Sequence, residues 1–81
     1  MSLKTNRPKQ YQNIEELRYI LENMKPNNIF RFRSQDTSCK GAFIKFENDT
    51  LHYINIGILL SDNTRKIRKS IIHRIIFLKK L

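Results

Sequence analysis

From Asn13 onward, apolar side chains recur at three- and four-residue spacing, at Ile14, Leu17, Leu21 and Met24, while Glu15, Glu16, Arg18 and Glu22 fall mostly on other sides. That period is the period of a helix with one dry face. Asn13 followed by Glu16 is a capping-box pair, and two early acids suit the positive end of the helix. Lys25-Pro26-Asn27-Asn28 ends it, because Pro disfavours helical geometry in the preceding residue and has no backbone donor. At Ile29 the period drops to two: Phe30 and Phe32 alternate with Arg31 and Arg33, as in a strand with one dry and one wet face. A second strand is predicted from about Cys39 to Glu47, with Ala42, Ile44 and Phe46 on one face and Phe43 and Lys45 on the other. Asn48-Asp49 reverses the chain, since both residue types tolerate the left-handed conformation. A third strand follows over Thr50 to Leu60, alternating Leu51, Tyr53 and Asn55 with His52, Ile54, Ile56 and Ile58, and Gly57 marks a bulge or bend.

The segment from Thr64 to Leu81 admits two readings. Ile71, Ile72, Ile75 and Ile76 fit one face of a helix that Ser70 would cap. Five isoleucines between Ile67 and Ile76 favour extended chain, because a β-branched side chain is stiff and suits a pleated surface. The extended reading gives a mainly β protein with one N-terminal helix. Its parts are a flexible basic tail over residues 1–12 and a single small domain over residues 13–81.

Composition sharpens this. At 81 residues with 40% apolar side chains there is room for one modest core. The net charge of +9 is uneven: residues 1–12 carry Lys4, Arg7 and Lys9 and no acid, residues 64–81 carry seven cations and no acid, and all seven acids lie between. Basic flanks around a near-neutral body favour a polyanionic partner through counterion release. A lone cysteine, Cys39, cannot form an internal disulfide, and the early residues have no apolar run behind their charges, so a cytoplasmic location is expected. The longest apolar run, Ile71 to Leu78, is broken by His73 and Arg74 and falls far below the roughly 20 residues that cross a bilayer.

Catalytic chemistry is hard to assemble from these residues. Lys40 beside Cys39 could lower a thiol pKa, but the only histidines, His52 and His73, are predicted on different strands. There is no second cysteine, no paired-histidine motif and no glycine-rich phosphate loop, so neither an enzyme nor a metal or cofactor is expected. Phe30-Arg31-Phe32-Arg33 reads either as an amphipathic edge strand or as a stacking platform for bases.

Two stretches carry a family resemblance. Gly41, Phe43, Phe46 and Glu47 fall in step with the first motif of the Sm and Sm-like proteins, and Ile67-Arg68-Lys69-Ser70-Ile71-Ile72-His73-Arg74-Ile75 resembles their second, with Lys69 where the family has Gly. Together with the leading helix, the resemblance covers most of residues 13 to 79. It implies a small, strongly bent five-stranded Sm-like or SH3-like barrel, joined through its fourth and fifth strands into a ring that holds RNA near two turn regions. Carried over, Asn48 and His52 would contact a base and Arg68 would support that pocket, with Lys69, Lys66 and Arg65 adding positive charge. The subunit interface would use Ile71, Ile72, Ile75, Ile76, Phe77 and Leu78, since an apolar last strand needs a neighbour. The function expected is a non-catalytic, homo-oligomeric module for single-stranded RNA or another polyanion. Two alternatives stay open: a coat-type or phage-type assembly subunit that uses the same barrel without RNA, and a basic amphipathic helix from Ser70 that lies on a partner or an anionic membrane.

Overall fold

The computed structural model of the chain describes residues 10–35, 37–56 and 67–81. The leading helix, α1, spans Ile14–Glu22. Its cap is Asn13, whose side-chain oxygen accepts from the Glu15 amide at 2.7 Å, one residue short of the amide a capping box would use. Leu17, Leu21 and, just past the helix, Met24 are buried, with Ile14 packed beside them. Asn27, at φ 76°, takes the left-handed conformation that turns the chain into the sheet.

Five antiparallel strands follow: β1 (Ile29–Ser34), β2 (Ser38–Glu47), β3 (Thr50–Asn55), β4 (Ile67–Ile71) and β5 (Ile75–Lys80). Their order in the sheet is β4-β3-β2-β1-β5, so β1 is an interior strand and β4 and β5 are the margins. Asn48 and Asp49 both have positive φ, 54° and 58°, the geometry of the tight turn that matches the twist of a two-residue hairpin. Between Phe43 and Lys45 the β2–β3 register slips, leaving Ile44 as an extra residue. This bulge breaks the predicted alternation of β2, bringing Phe43 and Phe46 to the same face. Gly41 and Phe43 point inward before it, and Phe46 packs against the core after it, whereas Ala42 and Ile44 are only half-buried.

The carboxy-terminal isoleucine run is extended, as expected, but it is two strands rather than one. A short 3-10 helix, Ile72–Arg74, separates β4 from β5 and takes His73 out of the strand where the sequence placed it. Ile72 anchors this break: its amide donates to the Asp49 carbonyl at 2.8 Å and its side chain is fully buried. The far end of the predicted third strand, with Gly57, lies outside the described residues.

One core collects Leu17 and Leu21 from α1, Phe30 and Phe32 from β1, Phe43 from β2, Leu51 and Tyr53 from β3, and Ile72, Ile75 and Leu78 from the C-terminal segment. The expected interface list is corrected accordingly. Ile72, Ile75 and Leu78 belong to this chain's own core, which leaves Ile71, Ile76 and Phe77 as residues with outward surface. Phe30, Phe32 and Tyr53 form a ring cluster with centroids 5.0 to 5.9 Å apart. Gly41 makes room for it, since a Cβ there would lie 2.9 Å from the Tyr53 ring and 3.1 Å from that of Phe30.

The sheet does not close into a barrel: among the described residues β4 and β5 do not pair. Its two margins also differ. Along β5, the Gln12 amide donates to the Ile76 carbonyl at 2.8 Å and the Gln12 side-chain oxygen accepts from the Leu78 amide at 2.7 Å. Gln12, which the sequence reading left in the flexible tail, thus binds the edge of the folded body. Among the described residues no strand pairs with the outer edge of β4.

Candidate nucleic-acid interface

An open cleft of about 730 Å³ runs along β4. Ile67, Arg68, Lys69, Ser70 and Ile71 form one side, Thr50 and Tyr53 of β3 contribute next to them, and Ser34, Thr37 and Arg74 complete the lining. Ser34 pairs with Ile75 at the start of β5. The cleft therefore lies at the seam where the two margins of the curled sheet approach each other. Among the described residues its lining holds three cations, several hydroxyls and no carboxylate.

Arg68 is positioned by strand register. It sits opposite Tyr53, and directly opposed residues of antiparallel strands share a face. The Arg68 guanidinium stands beside the Tyr53 oxygen, and the Tyr53 hydroxyl beside the Cys39 sulfur, close enough for each to act on its neighbour's ionisation. Burial pushes the Cys39 thiol up from its ordinary range, against the opposing pull of Arg68. The same burial raises Tyr53, assisted by Cys39 and opposed by Arg68. Burial thus favours the neutral thiol of Cys39 and the neutral phenol of Tyr53 beside Arg68.

The residues expected to act together are only partly assembled. Lys69 is opposite His52, on the face away from Tyr53, so Arg68 and Lys69 point to opposite sides of β4. Both lie within a strand, while the turn that the resemblance places near them falls at Ile72–Arg74. Asn48 stands apart at the tip of the β2–β3 hairpin, which Asp49 fastens to α1 through a 3.1 Å ion pair with Arg18. Arg65 and Lys66 lie outside the described residues. Arg74 joins the cleft without having been singled out from the sequence, and the 3-10 helix that carries it has no Gly, Pro or Asn to announce it.

The outer face of the sheet carries cations that sequence reading did not group. Phe30 and Phe32 are buried in the core, so they offer no stacking surface, and the intervening Arg31 and Arg33 are exposed. Arg31 is opposite Lys40 on one side and Lys79 on the other. A second row runs Lys45, His52, Lys69 across β2, β3 and β4. There Lys45 is engaged with Glu47 at 2.9 Å, a bond that holds the Glu47 carboxyl below its usual range.

Among the described residues no cluster of three His, Cys, Asp or Glu side chains could hold a metal, and no helix is long and apolar enough to cross a membrane. No protein-family model, curated protein or solved structure matches the chain.

Proposed function

We propose that the chain is a non-catalytic RNA-binding module of Sm-like type that works as a homo-oligomer. One observation carries the proposal: the seam cleft gathers Arg68 and Arg74 with hydroxyl groups and, among the described residues, no carboxylate, while Lys69 adds its charge on the other face of the same strand. Such a lining favours phosphate oxygens, because cations neutralise the backbone and hydroxyls can bond either phosphate or the ribose 2′-OH. The element order of one helix and five antiparallel strands agrees with the resemblance. Oligomer formation has physical support in the edge of β4, with which no further strand pairs among the described residues and which exposed Ile67 and Ile71 flank.

The test is fluorescence anisotropy of a labelled single-stranded RNA between about 50 and about 200 mM salt. The two cleft contacts contribute about −1.4 to the slope of log affinity against log salt, or a loss of about sevenfold over that range. Arg68→Ala and Arg74→Gln should each weaken binding. A folded sample whose binding is absent, or indifferent to salt, refutes the proposal. The assembly-subunit reading also rests on the β4 edge. Its distinguishing outcome is concentration-dependent association in light scattering that nuclease treatment leaves unchanged, without any RNA binding.

A further inference from the structure

The outer face of the sheet presents a feature the cleft does not use. On adjoining strands β5, β1 and β2, the residues Lys79, Arg31 and Lys40 stand directly opposite one another, so their side chains leave the same face. Neighbouring strands are about 4.8 Å apart, which makes a straight row of three cations about 10 Å long, perpendicular to the strands. Arg31 and Lys79 are exposed and Lys40 is half-buried. Among the described residues the ion pairs are Arg18 with Asp49 and Lys45 with Glu47, and neither touches this row.

Like charges placed directly opposite on neighbouring strands repel, and at a separation of about half the Debye length of about 10 Å, salt relieves them little. The fold holds this row because the opposite faces of the same strands must bury Phe30, Phe32 and Leu78. Among the described residues no ion pair neutralises the row, which leaves that role to a ligand from outside. A linear polyanion, with charges that succeed one another along a chain, matches a single-file row, whereas an acidic protein surface or a lipid headgroup plane would engage a patch.

We infer that Lys79, Arg31 and Lys40 form a second phosphate-contact row that engages the sugar-phosphate backbone of a single-stranded nucleic acid. This rests on the reading that the ligand is nucleic acid, but it uses residues separate from the cleft. Arg31 takes the centre, where its planar fork can bridge two phosphate oxygens.

The experiment compares wild type, the triple variant Arg31→Gln/Lys40→Gln/Lys79→Gln, the single variant Arg31→Gln and the cleft variant Arg74→Gln. Each is titrated by anisotropy against a labelled oligouridine across a salt series, with circular dichroism melts beside it. Removing three contacts should flatten the salt slope by about 2 units and Arg31→Gln alone by about 0.7. Neither variant should melt below wild type, since repulsion is relieved. A wild-type slope in both row variants, with weakened binding in Arg74→Gln, overturns the row and leaves the cleft standing. Absence of salt-dependent binding by wild type overturns the cleft reading and the row with it. Stronger binding of wild type to phosphatidylserine vesicles than to RNA, lost in the row variants, overturns the nucleic-acid assignment in favour of lipid. Should the triple variant fail to fold, the single variant decides.

Discussion

Replacing Gly41 by Ala tests the ring cluster and the site it supports. The added Cβ would meet Tyr53 Cδ2 at 2.9 Å, Phe30 Cζ at 3.1 Å and the Ile54 carbonyl oxygen at 3.3 Å. None of these yields easily. The Tyr53 ring is held edge-on between Phe30 and Phe32, and its hydroxyl lies beside Arg68 and Cys39. Forcing one extra carbon into a packed core costs about 1–3 kcal/mol. Against this, Gly→Ala restricts the unfolded chain and returns about 0.4–1 kcal/mol. The net loss is then about 1–2 kcal/mol, which for a domain of this size lowers the melting temperature by about 5–15 °C. Thermal melts followed by circular dichroism read this directly. Because Arg68 stands opposite Tyr53 in the β3–β4 register, a displaced ring should also shallow the salt slope of RNA binding in the same variant at temperatures where it remains folded. A Gly41→Ala protein that melts at or above the wild-type temperature refutes the reasoning, since the rings would then have slack that the distances deny.

Other outcomes follow from the same geometry. All three tyrosines and five phenylalanines fall within the described residues, and the sole ring in the cleft, Tyr53, is 4% exposed, so binding should be nearly blind to base identity. Oligouridine and oligoadenine affinities are expected within about fivefold, under the 1–3 kcal/mol or so that a stacked base contributes, and a larger gap would assign a role to an exposed ring such as Tyr19. Cys39 should resist iodoacetamide until a higher pH than the same thiol in a short peptide, because burial raises its pKa. The folded protein favours the neutral thiol, so this contribution to stability is complete below the unfolded-state pKa and is lost as pH rises through the folded one; labelling at or below the peptide's midpoint would contradict it. Gln12→Ala removes the side-chain bond to the Leu78 amide, and light scattering should then show association at lower protein concentration than for wild type. Unchanged association would mean that Gln12 does not guard that edge.

Much of the fold is legible locally. Asn13 announces the helix with a side chain that can accept from a free amide, Phe30 and Phe32 alternate with arginines because one face of β1 is dry, and Asn48-Asp49 tolerates the positive φ that its hairpin needs. The bulge at Ile44 is not legible, since isoleucine has no special liking for a bulge and the slip shows only against β3. For the same reason the break at Ile72–Arg74 is hidden: a buried isoleucine and a bond to Asp49 hold it, not a turn-forming residue. The candidate site divides along similar lines. Arg68 and Lys69 stand out as adjacent charges, yet strand alternation sends them to opposite faces. Lys79, Arg31 and Lys40 are far apart in the chain and meet through register alone.

The unequal margins of the sheet also limit how copies can add together. With Gln12 seated on one rim and the other rim bare among the described residues, extension is one-sided. Two molecules joined bare rim to bare rim would form a finished pair with a sealed border at each far end. A closed circle or an endless ribbon would demand that Gln12, held there by its backbone amide as well as its side chain, first leave that rim.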